Sequence, residues 1–530
     1  MKVLVIGLDG ATWDLIKPWA EEGALPTFKK LMEEGTWGKL ESTIPPITGP
    51  AWISFATGKK PEKHGIFDFY IPKGSLERLV PISPRDVKCK TLPELITDSI
   101  FINLPASAPP KSRDVGIIIA DFLVRSENYV FPEELKKKYP ILEEYRITPN
   151  ESLKTDPIKY AKDIRDVERK RFECAKQLFL NENWKLFFVL FSGTDWIQHI
   201  YYHKLVGKKF HEIPLEIRGI YEDIDGYLRW FIENMPKLDN EWVIILMSDH
   251  GFKVFNKFFR VNSWLNKKGL LKITYGKEKE IAWAKTREKE LRSFKTLRVP
   301  RKLIKIMRKI LPQRIQTFIL QSLRKYLKVN LGSSVKIDNK NSIALCPISI
   351  MTNFGYIYIN DDRFDKVVSL DEREKVISVL KRELSSLDII KNVWEIRHHP
   401  DSPIPDLIIE TIEEYGVNPR VTSDNIIDDI LENPASHDLY GIFLAYGSRI
   451  KKGHKIKGAK IYDIAPTLLH IFGLPIPNDM DGRVLMEIFE EDSEFAKREP
   501  KYVDPSYYEK RQEDEKLKKA IRNLKLKGRI

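Results

Sequence analysis

The chain has 530 residues, is 42% hydrophobic and 31% charged, and carries a formal net charge of +13. That balance belongs to a folded protein with a large core, not to a disordered chain, and no run is apolar over the ~20 residues a membrane helix needs. The cysteines, Cys89, Cys174 and Cys346, stand far apart with no CxxC spacing, which argues against a disulfide framework and a cysteine-ligated zinc site.

From the N-terminus, Val3-Leu4-Val5-Ile6-Gly7-Leu8 is a continuous apolar run that stops at Asp9-Gly10. Runs of this kind suit strands buried on both faces, as in a parallel sheet under helices. The strand pattern begins almost at Met1, with no signal-like region before it, so the expected location is cytoplasmic. Helical patterns follow over 12–22 and, after Pro26, over 27–34. Thr43-Ile44-Pro45-Pro46-Ile47-Thr48-Gly49-Pro50 is a turn-rich loop, and a helix over 51–57 is closed by Gly58. Thr48 is thereby placed just before a helix N-terminus, where free N–H groups favour anions.

Residues 71–115 are mixed and proline-rich, and 115–122 reads as a strand. A long amphipathic helix over 156–181 feeds a second apolar run, Leu186-Phe187-Phe188-Val189-Leu190-Phe191, which ends at Ser192-Gly193-Thr194-Asp195. A helix over 216–234 precedes a third, Val243-Ile244-Ile245-Leu246-Met247, which ends at Ser248-Asp249-His250-Gly251. This alternation predicts an α/β fold with a mostly parallel central sheet and helices on both faces.

Between Leu291 and Ile337 there is no acidic residue but thirteen Lys and Arg, equal to the whole net charge. Apolar residues at helical spacing among these cations, over 303–311 and 315–327, predict amphipathic helices. The domain reading is therefore a catalytic core of 1–270 and 338–490, a basic helical insertion or cap over 271–337, and a charged C-terminal tail over 491–530. Within the resumed core, strands are expected at 355–359, 406–409 and 441–446, with helices at 371–384 and 461–472. The basic stretch reads as a solvated face, as a lid that draws an anionic substrate inward, or as a peripheral contact with an anionic inner membrane surface. Nucleic acid is disfavoured, because no zinc finger or interleaved aromatic platform accompanies the charge.

In a doubly wound sheet, ligands bind beyond the carboxyl ends of the strands. The three apolar runs therefore gather Asp9, Asp195, Asp249 and His250 on one rim. Asp195 and His199, four apart on a helix, share one face and can share one ion. Mixed Asp and His ligation suits zinc, with manganese or iron as alternatives. His203, another turn on, competes for a place in that set. His64 reads as a structural residue of its turn, His398-His399 as a solvated pair, and Asp225, Asp463 and Asp481 as capping or turn residues.

Gly7-Leu8-Asp9-Gly10, Thr48 before Ala56-Thr57-Gly58, Lys63-His64-Gly65-Ile66, Gly193-Thr194-Asp195-Trp196-Ile197-Gln198-His199, Ser248-Asp249-His250-Gly251-Phe252 and Ser436-His437-Asp438 occur in an order that resembles the alkaline phosphatase superfamily. The resemblance is to its type I phosphodiesterase and nucleotide pyrophosphatase branch. It implies two divalent metals, usually zinc: one on Asp195, His199 and His437, the other on Asp9, Asp249, His250 and the Thr48 oxygen. It implies Thr48 as nucleophile, a phosphothreonine intermediate and an anionic phosphate-ester substrate. Where the nucleotide pyrophosphatases carry a phosphate-binding Asn, this chain has Phe69, so either another donor serves or the substrate differs. The alternatives are a phosphomutase or phosphomonoesterase of the same superfamily, and a non-catalytic, membrane-associated metal-binding protein. Sulfatase chemistry lacks its activated Cys or Ser context, and an oxidoreductase lacks GxGxxG after the first strand. The sequence does not set the oligomeric state.

Overall fold

The computed structural model describes residues 1–112, 115–123, 129–275, 335–347, 352–397, 402–421, 425–429, 435–511 and 513. The predicted basic helices over 303–311 and 315–327, and His398-His399, lie outside the described residues.

Nine strands form the central sheet: β1 (Lys2–Leu8), β2 (Thr36–Glu41), β3 (Ser99–Ile102), β4 (Ile117–Ile119), β5 (Val130–Phe131), β6 (Leu186–Phe191), β7 (Trp242–Met247), β8 (Tyr440–Gly447) and β9 (His454–Lys460). Their spatial order is β9-β2-β8-β7-β1-β6-β3-β4-β5. The five strands from β7 to β4 run parallel, with Val5 aligned to Phe188 on one side and to Ile245 on the other. Antiparallel neighbours, β8 and β5, flank that parallel block. The mostly parallel α/β fold expected from the sequence is the fold observed.

Helices α1 (Trp13–Glu21) and α2 (Pro26–Glu34) follow β1, and α3 (Thr48–Thr57) follows β2. Helix α4 (Pro157–Asn181) leads into β6, α5 (Gly193–Leu205) leaves it, and α6 (Leu215–Leu238) leads into β7. Helix α7 (Leu370–Ser385) packs on a smaller sheet, and α8 (Ile464–Ile471) follows β9. Side-chain alternation along β1 divides the core. Leu4, Ile6 and Leu8 join the layer containing α1, α2, α4 and α6, whereas Val3 and Val5 join the layer containing α3 and α8. Gly7 is required where α3 crosses β1, because a Cβ there would lie 2.6 Å from the Trp52 ring. No helix among the described residues is long and apolar enough to cross a membrane.

The structure revises three readings. The strand over 115–122 shortens to β4, because the chain turns at Asp121, whose carboxylate accepts the Ala106 and Leu123 N–H groups at 2.8 Å each. The strands over 354–411 do not join the central sheet. Ala344–Leu345, Phe354–Ile359, Leu407–Thr411 and Ile390–Glu395 form a separate antiparallel sheet with its own apolar core under α7. Residues 491–511, expected to be a charged surface tail, are fastened to the main body. Tyr502–Val503 pairs with Ile476–Pro477, Phe495 and Tyr508 are buried, and the Tyr508 hydroxyl donates to the Pro475 carbonyl at 2.5 Å. At the basic insertion, Ile273–Tyr275 and Val335–Ile337 pair antiparallel, so the chain leaves and returns at one place.

Candidate metal centre and nucleophile

The site is assembled by the ends of β1, β6 and β7. Asp9 is the first residue past β1, and its N–H donates to the Phe191 carbonyl at the end of β6 at 2.9 Å. The chain then turns through Gly10, whose φ of +65° favours glycine and where a Cβ would strike Phe252 at 2.6 Å. The Gly10 N–H donates to Asp249 Oδ1 at 3.1 Å, tying β1 to the end of β7. Thr194 Oγ1 donates to the Asp9 carbonyl at 2.5 Å and Gln198 Nε2 to the Gly10 carbonyl at 2.9 Å, tying in α5. Backbone and side-chain bonds thus lock the three strand ends together before any of their carboxylates is considered.

Helix α5 starts where the buried Glu168 of α4 accepts the Ser192 N–H at 2.8 Å, compensating the exposed donors of a helix N-terminus. Arg171, also buried, holds Glu168 through bonds of 2.9 Å to both oxygens. Asp195 lies in the first turn of α5 and His199 one turn later. His437 arrives from far along the chain, on Ala435–Asp438, which pairs antiparallel with Gly251–Val254 so that His437 faces Phe252.

The predicted ligands meet. Asp9, Asp249 and His250 form one group of buried donors within 4.8 Å of one another, and Asp195, His250 and His437 form a second. His199 Nε2 is 3.2 Å from Asp195 Oδ1 and 3.1 Å from His437 Nε2, so it stands beside the second group without being one of its three mutually close donors. His250 Nε2 is 3.3 Å from Asp249 Oδ2, 3.6 Å from Asp9 Oδ1 and 4.0 Å from Asp195 Oδ1. His203 lies outside both groups. Thr48 is the first residue of α3, three residues earlier than the helix predicted at 51, because Pro50 is tolerated in a first turn. Its Oγ1 is 3.5 Å from Asp9 Oδ1 and 3.2 Å from His250 Nε2.

These donors fit cations better than they fit one another. His250 Nδ1–H donates to the Gly251 carbonyl and His437 Nδ1–H to the Pro46 carbonyl, each at 3.0 Å. In the neutral rings, both Nε2 lone pairs then point at the carboxylate cluster. Asp195 Oδ1 and Asp249 Oδ2 are buried with no hydrogen-bond partner of acceptable geometry. Burial and the charges of Asp249 and Asp195 push the Asp9 carboxyl well above its usual range, and burial with Asp195 pushes Asp249 up to about 7. Burial works against ionised Asp195 too, but the His199 imidazole beside it outweighs burial and holds it well below the usual range. Burial keeps His250 and His437 neutral, as metal ligation requires. A concentration of carboxylate oxygens and imidazole lone pairs facing inward is the donor chemistry of zinc and similar divalent ions.

The site opens into a cleft of about 470 Å³ lined by Asp9, Thr48, Asp195, His199 and His437 and, from outside the predicted set, by Phe69, Phe122, Trp196, Asn418 and Arg420. Phe69 and Phe122 meet edge to face at 5.2 Å. Phe69 thus supplies an apolar surface to the cleft, and Asn418 and Arg420 bring polar groups to it. Asn418-Pro419 carried only a turn signal in the sequence. The Glu168–Arg171 pair was hidden among the ordinary charges of an amphipathic helix. His64 has the structural role expected of it, and Asp225 caps α2 by accepting the Thr27 and Phe28 N–H groups at 3.0 Å each.

The sequence profile described as type I phosphodiesterase / nucleotide pyrophosphatase matches residues 3–411. No curated protein matches the chain. Among solved structures, the chain is similar to human ectonucleotide pyrophosphatase / phosphodiesterase 5, at 14% identity and a TM-score of 0.49, over 90% of this chain and 97% of that one. It is similar also to phosphonoacetate hydrolase from Sinorhizobium meliloti 1021 in complex with phosphonoformate, at 14% identity and a TM-score of 0.49, over 88% of this chain and 94% of that one. An inactive murine ectonucleotide pyrophosphatase / phosphodiesterase 5 in complex with AMP matches at 15% identity and a TM-score of 0.47, over 90% and 97% of the two chains. With the profile spanning most of its length, the chain belongs to the type I phosphodiesterase / nucleotide pyrophosphatase family.

Proposed function

We propose that the protein is a two-metal phosphoric ester hydrolase that cleaves phosphodiesters or pyrophosphates by way of Thr48. The observation that carries this reading is the position of Thr48 Oγ1, 3.5 Å from Asp9 and 3.2 Å from His250, beside both donor groups, with Thr48 itself lining the cleft. Divalent ions, zinc first and manganese or iron as alternatives, would be held by Asp9, Asp249 and His250 and by Asp195, His199 and His437. They would supply Lewis acidity and offset charge on the attacking and leaving oxygens.

Thr48 is the nucleophile of this reading. Its Oγ1 bonds to phosphorus as the ester oxygen opposite leaves, and the hydroxyl proton passes to solvent as the departing oxygen takes one up, giving a phosphothreonine that still carries the retained half of the substrate on phosphorus and a free alcohol or phosphate-bearing product. Water then cleaves the Thr48–phosphorus bond and restores the hydroxyl. Because Thr48 opens α3, the Thr48 and Gly49 N–H groups have no intrahelical acceptor, and they are suited to hold a non-bridging oxygen through both steps. Phe69 and Phe122 offer apolar contact to the leaving group and exclude water from its side of the cleft.

The test is turnover of bis-p-nitrophenyl phosphate and p-nitrophenyl phosphate by metal-loaded protein, with Thr48→Ala alongside. Faster diester cleavage is expected, reduced by about 10³ or more in Thr48→Ala, the scale of losing a catalytic nucleophile. The p-nitrophenyl ester of phosphothreonine at Thr48, trapped from the diester by acid quench and located by mass spectrometry, is expected in the wild type. Preference for the monoester would favour the phosphomonoesterase or mutase reading, and diester cleavage unaffected by Thr48→Ala would overturn the assignment of the nucleophile.

A further inference from the structure

Two groups in the Thr48 cleft have no part in the chemistry above. They are Asn418, the last residue of the strand Tyr415–Asn418, and Arg420, two residues on. Asn418 is 6% exposed, and its Oδ1 accepts the Arg420 N–H at 2.9 Å. That bond fixes which way the amide points, leaving the Nδ2 donors for another partner. Pro419, between them, is held rigidly. Its carbonyl accepts from Asn262 Nδ2 at 2.8 Å, and the fully buried Asn262 also exchanges two 2.8 Å bonds with the backbone of Cys346. The turn that presents Arg420 is therefore anchored in the core of the smaller sheet, as a recognition element needs to be.

The Arg420 side chain is exposed and makes no ion pair among the described residues. The acids that line the cleft are Asp9 and Asp195, both belonging to the metal-donor groups. An exposed guanidinium on an anchored turn, lining the same cleft as an amide donor and with no carboxylate paired to it among the described residues, is a receptor for an anion. The planar fork of arginine matches carboxylate and phosphate alike.

We propose that Arg420, assisted by Asn418, binds a second anionic group, carboxylate or phosphate, that the substrate carries beyond the phosphoryl centre attacked by Thr48. This rests on the phosphoric ester reading and adds to it the substrate class: esters or anhydrides with an additional negative charge. Arg420 is here a specificity-determining residue, distinct from the metal donors.

The test is calorimetric binding to the metal-loaded full-length protein of three ligands that need no turnover: propylphosphonate, 3-phosphonopropionate and propane-1,3-bisphosphonate. At least one doubly functional ligand is expected to bind about tenfold or more tightly than propylphosphonate, as for a hydrogen bond to a charged group. The better of the two identifies the second group as carboxylate or phosphate. In Arg420→Met that preference is expected to collapse, and in Arg420→Lys to survive in part. Absence of the preference in the wild type, whether because the ligands bind alike or because none binds, overturns the proposal, as does its persistence in Arg420→Met. The Thr48 assay reports separately on the phosphoric ester reading, so the two fail independently.

Discussion

His64 is fully enclosed, and both its ring nitrogens are engaged locally. Nδ1 accepts the Ile66 N–H at 3.2 Å, and Nε2–H donates to Ser54 Oγ at 2.9 Å. Burial, with the nearby Lys59 charge, pushes its pKa down from 6.5 to about 3. Below 6.5 the unfolded chain takes up a proton that the folded chain refuses. The stability tied to neutral His64 is thus complete above that pH and is lost as pH falls toward 3, by about 1.4 kcal/mol per unit. A His64→Gln variant is expected to melt lower than the wild type at about pH 7.5 but to lose less on going to about pH 4.5. Parallel melting profiles would show that His64 is not the titrating group. His250 stands before a glycine just as His64 does, yet it turns its Nε2 toward carboxylates. The dipeptide alone could not separate the two. What distinguished them in the sequence was the apolar strand that delivers His250 to the rim. His437 had no such local signal, since its partner strand, Gly251–Val254, lies far away in sequence.

At the scale of elements, β1, β6 and β7 were legible because each is buried on both faces and reads as an unbroken apolar run. Strands β2 and β9 were missed for the converse reason. Lys39 is exposed within β2, and β9 is largely polar along an edge of the sheet. The start of α5 depends on a third element, α4. Its Glu168 accepts the Ser192 N–H while Arg171 compensates its charge, and the Arg171 guanidinium lies 5.6 Å from the ring centre of Trp196 in the cleft wall. Glu168→Gln keeps the shape but leaves a buried guanidinium without its counter-charge, at a cost of about 3 kcal/mol or more. Because α5 carries Asp195 and His199, zinc affinity is also expected to fall, by about tenfold or more, the scale of lost support to metal ligands. Thermal denaturation and zinc titration measure the two effects. A variant with reduced stability and unchanged zinc affinity would show that the pair supports the fold without positioning the ligands.

For the whole molecule, the fold class could be read from alternating strands and helices, but the assignment of segments to bodies could not. Residues 354–411 carry the same strand and helix signals as the central sheet, and only long-range pairing reveals that they build a second one. That second sheet reaches the catalytic side through Ile47 and Phe67, which join its core, and through the Tyr356 hydroxyl, which donates to the Phe67 carbonyl. The C-terminal stretch was misread for a related reason. Its charge is conspicuous in the sequence, whereas the few side chains that fasten it, Phe495 and Tyr508, are not.

The short ladder between Ile273–Tyr275 and Val335–Ile337 has a consequence for how the chain can be edited. Paired ends make everything between them a closed detour, so 276–334 can be excised without rerouting the rest. A cut from 291 to 337, as the charge pattern alone would suggest, destroys one rung strand and leaves its partner unpaired. Joining 275 to 335 through a short Gly-Ser turn instead preserves the ladder and relieves loop-closure entropy, by about 2 kcal/mol on the logarithmic length dependence. The shortened protein is expected to fold with a melting temperature no lower than that of the full chain, measured by calorimetry, while its net charge falls. Failure to fold would mean that the detour is part of the structural unit. Success would yield a near-neutral scaffold on which the contribution of the cationic segment to substrate or liposome binding is measured by simple addition.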